Sequence, residues 1–400
     1  MLNKSMDQLT DYPFDRARAL LDVVPPPEGL EVIALSIGEP QHAPPPLIAE
    51  TVAANAHLWG KYPPALGTPE LRQAISAWLT RRFNVPAQDF EDKVGIIPVA
   101  GTREALYLVA PVSVPETKNG ERAAVLIPNP LYHVYSGGAI MAGADPVFVS
   151  ATYNTGFMPN FRDLDEATLR RTALAYLCSP SNPQGAIADI EYLKSAIRLA
   201  REYDFIVAVD ECYSEIYDVA HPPGALQACA EMGEGYGNVI IFHSLSKRSS
   251  AAGLRSGFVA GDANLIETFR RLRSFSGATL PLPIQAASAA LWNDEAHVEE
   301  NRAKYRAKFD AAERVLDGRY GYYRPDGGFF LWLDVGNGEE AALKLWKEAG
   351  VRVQPGAYMA RPDDTGNNPG APYIRVALVH ETDVIEKPSN DLLRSFVKTM

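Results

Sequence analysis

The chain has 400 residues, 46% of them hydrophobic and 22% charged, with a formal net charge of −11. That length exceeds one typical domain and can bury a core that needs neither disulfides nor a structural metal. The acidic balance argues against nucleic acid as the main partner, because phosphate binding wants a basic face, but it leaves room for a small anion held in a local arginine pocket.

The chain opens on MLNKSMDQLTDYPFD, which lacks the apolar stretch of a signal peptide. No run approaches the roughly 20 apolar residues of a membrane span. A soluble, cytoplasmic protein without a membrane partner is the expectation. Cys178, Cys212 and Cys229 lie far apart with no C-x-x-C spacing. They fit a reducing compartment and no metal site; Cys178 and Cys212, beside apolar runs, read as structural.

The first forty or so residues are rich in proline, with a stiff turn at Pro25-Pro26-Pro27, and end in Ser36-Ile37-Gly38-Glu39-Pro40. From about 94 to 290, short apolar runs alternate with helix-like segments. The runs are Val94 to Val99, Ala124 to Ile127, Pro146 to Val149, Ala173 to Leu177, Phe205 to Val209, Val239 to Phe242 and Gly257 to Ala260. Near-continuous apolar strands separated by helices predict an α/β unit with a mostly parallel sheet buried on both faces, whose ligands collect at the carboxyl ends of the strands. The charged segment Glu300 to Leu316 has helical period and reads as a connector. A strand (Phe329 to Leu333), a helix (Glu339 to Ala349) and a strand (Tyr373 to Ala377) then predict a smaller α+β unit, against which the first residues are expected to pack. The expected division is 1–50 for the arm, 51–290 for the large unit and 291–400 for the small one.

Four polar features follow apolar runs. Gly101-Thr102-Arg103-Glu104-Ala105-Leu106 opens a helix-like run, and free N–H groups at a helix start form a ready phosphate site. There is no Walker A pattern and no G-x-G-x-x-G. Asn182 sits in Ser-Pro-Ser-Asn-Pro-Gln-Gly, a turn signal in its own right. Asp210 ends an apolar run, so its charge needs a partner or water; the plain alternative is a helix N-cap. Lys247, in His243-Ser244-Leu245-Ser246-Lys247, follows a strand, although a bare S-x-x-K is a weak signal. Tyr213 comes three residues after Asp210.

Together these features supply an amine, an acid, hydroxyl and amide donors, a phosphate cradle and an aromatic ring, which is the set that pyridoxal-phosphate chemistry requires. The sequence resembles the fold-type I, class I/II aminotransferases over essentially its whole length. The resemblance implies a large domain built on a seven-stranded sheet, pyridoxal 5′-phosphate as cofactor, and amino and keto acids as substrates. Lys247 would carry the cofactor and then act as the proton-shuttling base. Asp210 would pair with the pyridine nitrogen, while Tyr213 and Asn182 would bond the phenolate oxygen. Ser244, Ser246 and Arg255 would hold the phosphate with Gly101, Thr102 and Arg103, and Tyr132 would stack on the ring. Arg375 would grip the substrate α-carboxylate, helped by the Gly38 amide and by Asn182; its plain alternative is an edge-strand arginine with its head in water. Tyr62, in Lys61-Tyr62-Pro63-Pro64, would reach the phosphate of a neighbouring subunit, so a homodimer with shared active sites is implied.

The finer resemblance is to bacterial N-succinyldiaminopimelate aminotransferases of lysine and cell-wall precursor synthesis. It is carried by Tyr12-Pro13-Phe14, by Ala100 to Leu106, and by His243 to Ser250 followed by Gly253 to Asp262. Ser276 to Pro283 departs from that group. Alternatives are another class I/II aminotransferase, acting on aspartate, aromatic amino acids or LL-diaminopimelate, or a C–S lyase, decarboxylase or cyclising synthase on the same fold. A transcription regulator would need a basic DNA-binding module, and no such segment precedes Tyr12. Arg16, Arg18 and Arg103 are the candidates for a distal carboxylate.

Overall fold

The structure is a computed structural model that describes residues 2–29, 32–277 and 279–381. Ala278, in the departing Ser276–Pro283 stretch, and the last residues of the expected 291–400 unit lie outside the described residues. Seven strands form the central sheet: β1 (Val94–Val99), β2 (Ala124–Asn129), β3 (Asp145–Ser150), β4 (Thr172–Cys178), β5 (Ile206–Asp210), β6 (Val239–Ser244) and β7 (Gly257–Asp262). Their order is β1-β7-β6-β5-β4-β2-β3. Only β7 runs antiparallel to its neighbours, β1 and β6; the other pairs are parallel.

Why the runs are apolar without alternation is visible in the packing. In β2, Val125 and Ile127 face one core cluster and Leu126 the other; in β6, Ile240 and Phe242 face one while Val239 and Ile241 face the other. A sheet covered by helices on both faces has no solvent side, so both phases of the two-residue period must be apolar.

A second sheet follows the helix Ala296–Leu316, which starts slightly earlier than its charge pattern suggests. It consists of β8 (Phe330–Asp334), β9 (Gln354–Pro355) and β10 (Tyr373–Ala377), with β10 in the middle. The helix Gly338–Ala349 packs on it, and Leu331, Leu333, Leu345, Ile374 and Val376 share a core with Leu35 from the amino-terminal segment. That segment is tied down further. Ile33 and Ala34 pair in parallel with Val351 and Arg352, and Trp346 donates its indole N–H to the Val24 carbonyl at 2.8 Å. Among the described residues no helix is long and apolar enough to cross a membrane.

Candidate active site

The strand ends place the chemistry. Asn129, Cys178, Asp210 and Ser244 are the last residues of β2, β4, β5 and β6. Antiparallel β7 begins at that same edge, so Arg255, two residues ahead of it, joins them. A cavity of about 560 Å³ opens there. Of the residues expected from sequence, Gly38, Thr102, Arg103, Tyr132, Asn182, Asp210, Tyr213, Ser244, Ser246, Lys247, Arg255 and Arg375 line it. Gly101 is not among the lining residues but stands against the Arg255 guanidinium, and Tyr62, also outside the cavity, is fully exposed.

Gly101 caps the helix Thr102–Ser113 with φ 90°, where a side chain is strained, and a Cβ there would collide with the Arg255 guanidinium. The glycine therefore keeps open the space between a helix start and an arginine, which is an anion cradle. Arg255 is itself left-handed, φ 53°, and donates to the carbonyls of Ala252 at 2.9 Å and Ala100 at 3.4 Å. Ser244 Oγ accepts from the Ser246 amide at 3.1 Å, starting the short helix Leu245–Arg248 that carries Lys247. Lys247 thus sits on a single helical turn after β6 rather than on the strand end itself.

Lys247 is partly buried, and its Nζ donates to the Gly38 carbonyl. Burial, with Arg375 adding to it, pushes its amine down to about 8 against a smaller opposing pull from Cys212, Glu39 and Asp210. So it is Gly38's carbonyl, rather than its amide, that engages a functional side chain. A Cβ at Gly38 would overlap the Phe330 ring, so the close approach depends on glycine.

Asp210 is 5% exposed and accepts from the Tyr135 hydroxyl at 2.8 Å and the Cys212 amide at 3.2 Å. Burial raises its carboxyl, and the contacts with Cys212 and Tyr135 pull it back down. The Cys212 bond is cap-like, but it closes a turn and no helix follows. A buried carboxylate at the cavity wall with no ion-pair partner among the described residues is one that a cationic ring nitrogen suits.

Arg375 is 4% exposed on the central strand of its sheet, which rules out the solvated edge reading. One Nη donates to Asn182 Oδ1 at 2.9 Å, the other to the Ser36 carbonyl at 2.7 Å, and the Phe330 ring lies 4.3 Å from the guanidinium carbon. Burial lowers it to about 10, so it stays a cation near neutrality. With Asn182 Oδ1 occupied by Arg375, its amide NH₂ remains as a donor. The Tyr213 ring meets Phe329 edge-on at 5.4 Å, and burial raises its hydroxyl. The Tyr132 hydroxyl accepts from Arg103 Nε at 2.9 Å.

Several cavity residues have no site role in the sequence reading. Tyr135 holds Asp210 and stacks on Tyr176 at 4.5 Å; its place three residues after Tyr132 was the available signal. Cys178 and Cys212 line the cavity rather than serving only as filler, and burial drives both thiols up, which keeps them protonated. His133, Gln354 and Phe330 complete the wall.

A family model for class I and II aminotransferases matches residues 31–386. An LL-diaminopimelate aminotransferase of Desulforudis audaxviator is 32% identical over 388 residues, covering 95% of this chain and 94% of its own. The transaminase OxyQ of Streptomyces rimosus, named for 4-dedimethylamino-4-oxo-anhydrotetracycline, is 31% identical over 379 residues, covering 93% and 96%. The crystal structure of an aminotransferase from Neisseria meningitidis superposes with a TM-score of 0.91 at 39% identity, covering 99% of this chain and 100% of that one. A helix-start cradle, a partly buried amine and a carboxylate without an ion-pair partner in one cavity fit pyridoxal phosphate, and with these likenesses they identify the chain as a fold-type I member of the class I and II aminotransferases, with pyridoxal phosphate as its cofactor.

Proposed function

We propose that this enzyme moves an amino group from glutamate to a long acidic keto acid, N-succinyl-2-amino-6-ketopimelate foremost. The observation that carries the reading is that the Lys247 amine, the Asp210 carboxylate and the Arg375 guanidinium line one cavity. When bound, pyridoxal phosphate supplies a carbonyl carbon for the amino group and a ring that accepts electrons as the substrate Cα loses its proton. Arg375, steadied by Asn182, holds the α-carboxylate with a two-pronged grip. Lys247, with an amine lowered to about 8, takes and returns the Cα proton. Asp210 stabilises positive charge at the ring nitrogen, with Tyr135 fixing its orientation. Tyr213 and the Asn182 amide would donate to the cofactor's phenolate oxygen, and Tyr132 would cover its ring face. The Gly101, Thr102 and Arg103 amides, the Ser244 and Ser246 hydroxyls and Arg255 would hold its phosphate. Gly38 orients Lys247 through its carbonyl, with its amide toward the substrate carboxylate.

The same reading assigns residues 1–50 to an amino-terminal arm that joins a small unit, 291–400 to that small unit and 51–290 to the cofactor-binding unit. It makes the enzyme a homodimer whose partner subunit receives Tyr62. A second substrate reading, LL-diaminopimelate, is favoured by the relative of that name.

The test is the visible absorption band of the purified enzyme. Glutamate should bleach it, and the succinylated keto acid should restore it faster than the unsuccinylated one. A band indifferent to glutamate would remove the donor assignment. Restoration by the unsuccinylated acid alone would select the second reading.

A further inference from the structure

His133, outside the machinery just described, lines the same cavity, and two arginines, Arg361 and Arg16, stand behind it rather than on its wall. His133 opens the helix His133–Met141 and lines the wall with Tyr12, Phe14 and Gln354. Its Nε2 lies 3.3 Å from Arg361 Nη1. A guanidinium has only donors, so Nε2 accepts, and the ring proton must sit on Nδ1. The ring is neutral, because burial and the charges of Arg361 and Arg16 push it down to about 3. Burial, followed by Arg16, lowers Arg361 as well.

The other contacts of Arg361 are the Ala360 carbonyl and the Thr10 hydroxyl, and Arg16 stands over the Tyr358 ring at 4.1 Å. Among the described residues no carboxylate makes an ion pair with either arginine. Arg18, only two residues along, does have an acid partner, Asp15 at 3.2 Å, and that pair is out on the surface. Glu339, bonded to the Tyr358 hydroxyl beneath Arg16, makes no ion pair with the Arg361 or the Arg16 guanidinium, so those two repel one another unless an anion joins them. Tyr12 connects the group to the α-carboxylate site. Its ring centroid is 6.0 Å from that of His133, and it is close enough to Arg375 to act on its charge.

We infer that Arg361 and Arg16, with His133 as the N–H donor at the wall, form a second anion subsite that takes the far carboxylate of an extended acid substrate while Arg375 takes the near one. This rests on the proposed aminotransferase reading and narrows its substrate class. The acid must carry a carboxylate several bonds beyond the end of glutamate, as a succinyl arm does. Arg103 lines the same cavity and is near enough to feel Tyr12, but its Nε is engaged by the Tyr132 hydroxyl.

The experiment titrates the holoenzyme with glutarate, pimelate and azelate, following the cofactor band as binding perturbs it. The wild type should bind more tightly as the chain lengthens. Arg361→Met should weaken azelate by roughly 10-fold relative to glutarate, the loss of one charge-assisted contact. Arg361→Lys should keep part of the length dependence, which separates lost charge from disturbed folding. A wild type indifferent to chain length would overturn the subsite, and so would an Arg361→Met enzyme that weakens short and long acids equally. Failure of the aminotransferase reading looks different: Arg375→Ala would then leave the whole series unchanged.

Discussion

Lys247 has three determinants that act together: a turn that starts on Ser244, a carbonyl acceptor at Gly38, and burial that lowers its amine to about 8. Only a neutral amine attacks an aldehyde, so cofactor loading should follow that ionisation. The rate at which apoenzyme regains the visible band with added pyridoxal phosphate should rise with pH and level off above about 8. A rate still climbing beyond pH 10 would mean that an ordinary, solvated lysine is reacting. Tyr135 gives a second prediction. Its hydroxyl helps hold Asp210 charged, so Tyr135→Phe should raise that carboxyl further, loosen the cofactor and slow the glutamate half-reaction by roughly 10-fold. Unchanged cofactor affinity in a dialysis titration would remove Tyr135 from the site. Lys247, Asp210 and Arg375 stood out in the sequence because each is a charge next to an apolar run. Tyr135, His133 and Arg361 carry no such mark, since what defines them is a neighbour that the chain brings in from more than seventy residues away, at Asp210 for Tyr135 and at one another for the other two.

Strands announced themselves best. A strand covered on both faces must be apolar at every position, and β1, β2, β4, β5 and β6 read that way within a residue or two of their ends. The antiparallel course of β7 was not readable, because Gly257 to Ala260 looks like any buried strand; its direction comes from the short link through Arg255. The helix Ala296–Leu316 read as a charged connector, but two of its polar residues are deeply buried. Lys308, with no exposed surface, donates to His42 at 2.6 Å and to the Leu378 carbonyl at 3.2 Å. Asn301 bonds His42 at 2.9 Å and the Lys247 carbonyl at 3.2 Å. Burial lowers Lys308 to about 7, well below a free lysine. Between that value and about 10.5 the unfolded chain holds a proton that the folded one does not, so Lys308 makes stability rise with pH through that window. Lys308→Met should flatten the rise in melting temperature from pH 7 to 10 relative to wild type. Parallel curves for the two proteins would show that Lys308 is charged in the folded state.

At the scale of the whole molecule, the feature that a single chain leaves unexplained is Tyr62. It is fully exposed, in a neighbourhood that also presents Trp59 to solvent, and it is absent from the cavity of its own chain. If its hydroxyl completes the phosphate site of a second copy, Lys247 and Tyr62 of any one site belong to different subunits. That arrangement has a consequence no monomer could reproduce. Lys247→Ala and Tyr62→Ala homodimers should each be impaired, the first abolished and the second weakened for the cofactor. After unfolding and joint refolding of equal amounts, about half the dimers should be mixed. In each of those, one site combines both substitutions and the other is wholly wild-type. The mixture should therefore recover roughly a quarter of wild-type activity per site, with wild-type cofactor affinity in that fraction. With both residues of a site on one chain, mixing would create no intact site, and activity would stay at the level of the Tyr62→Ala component alone.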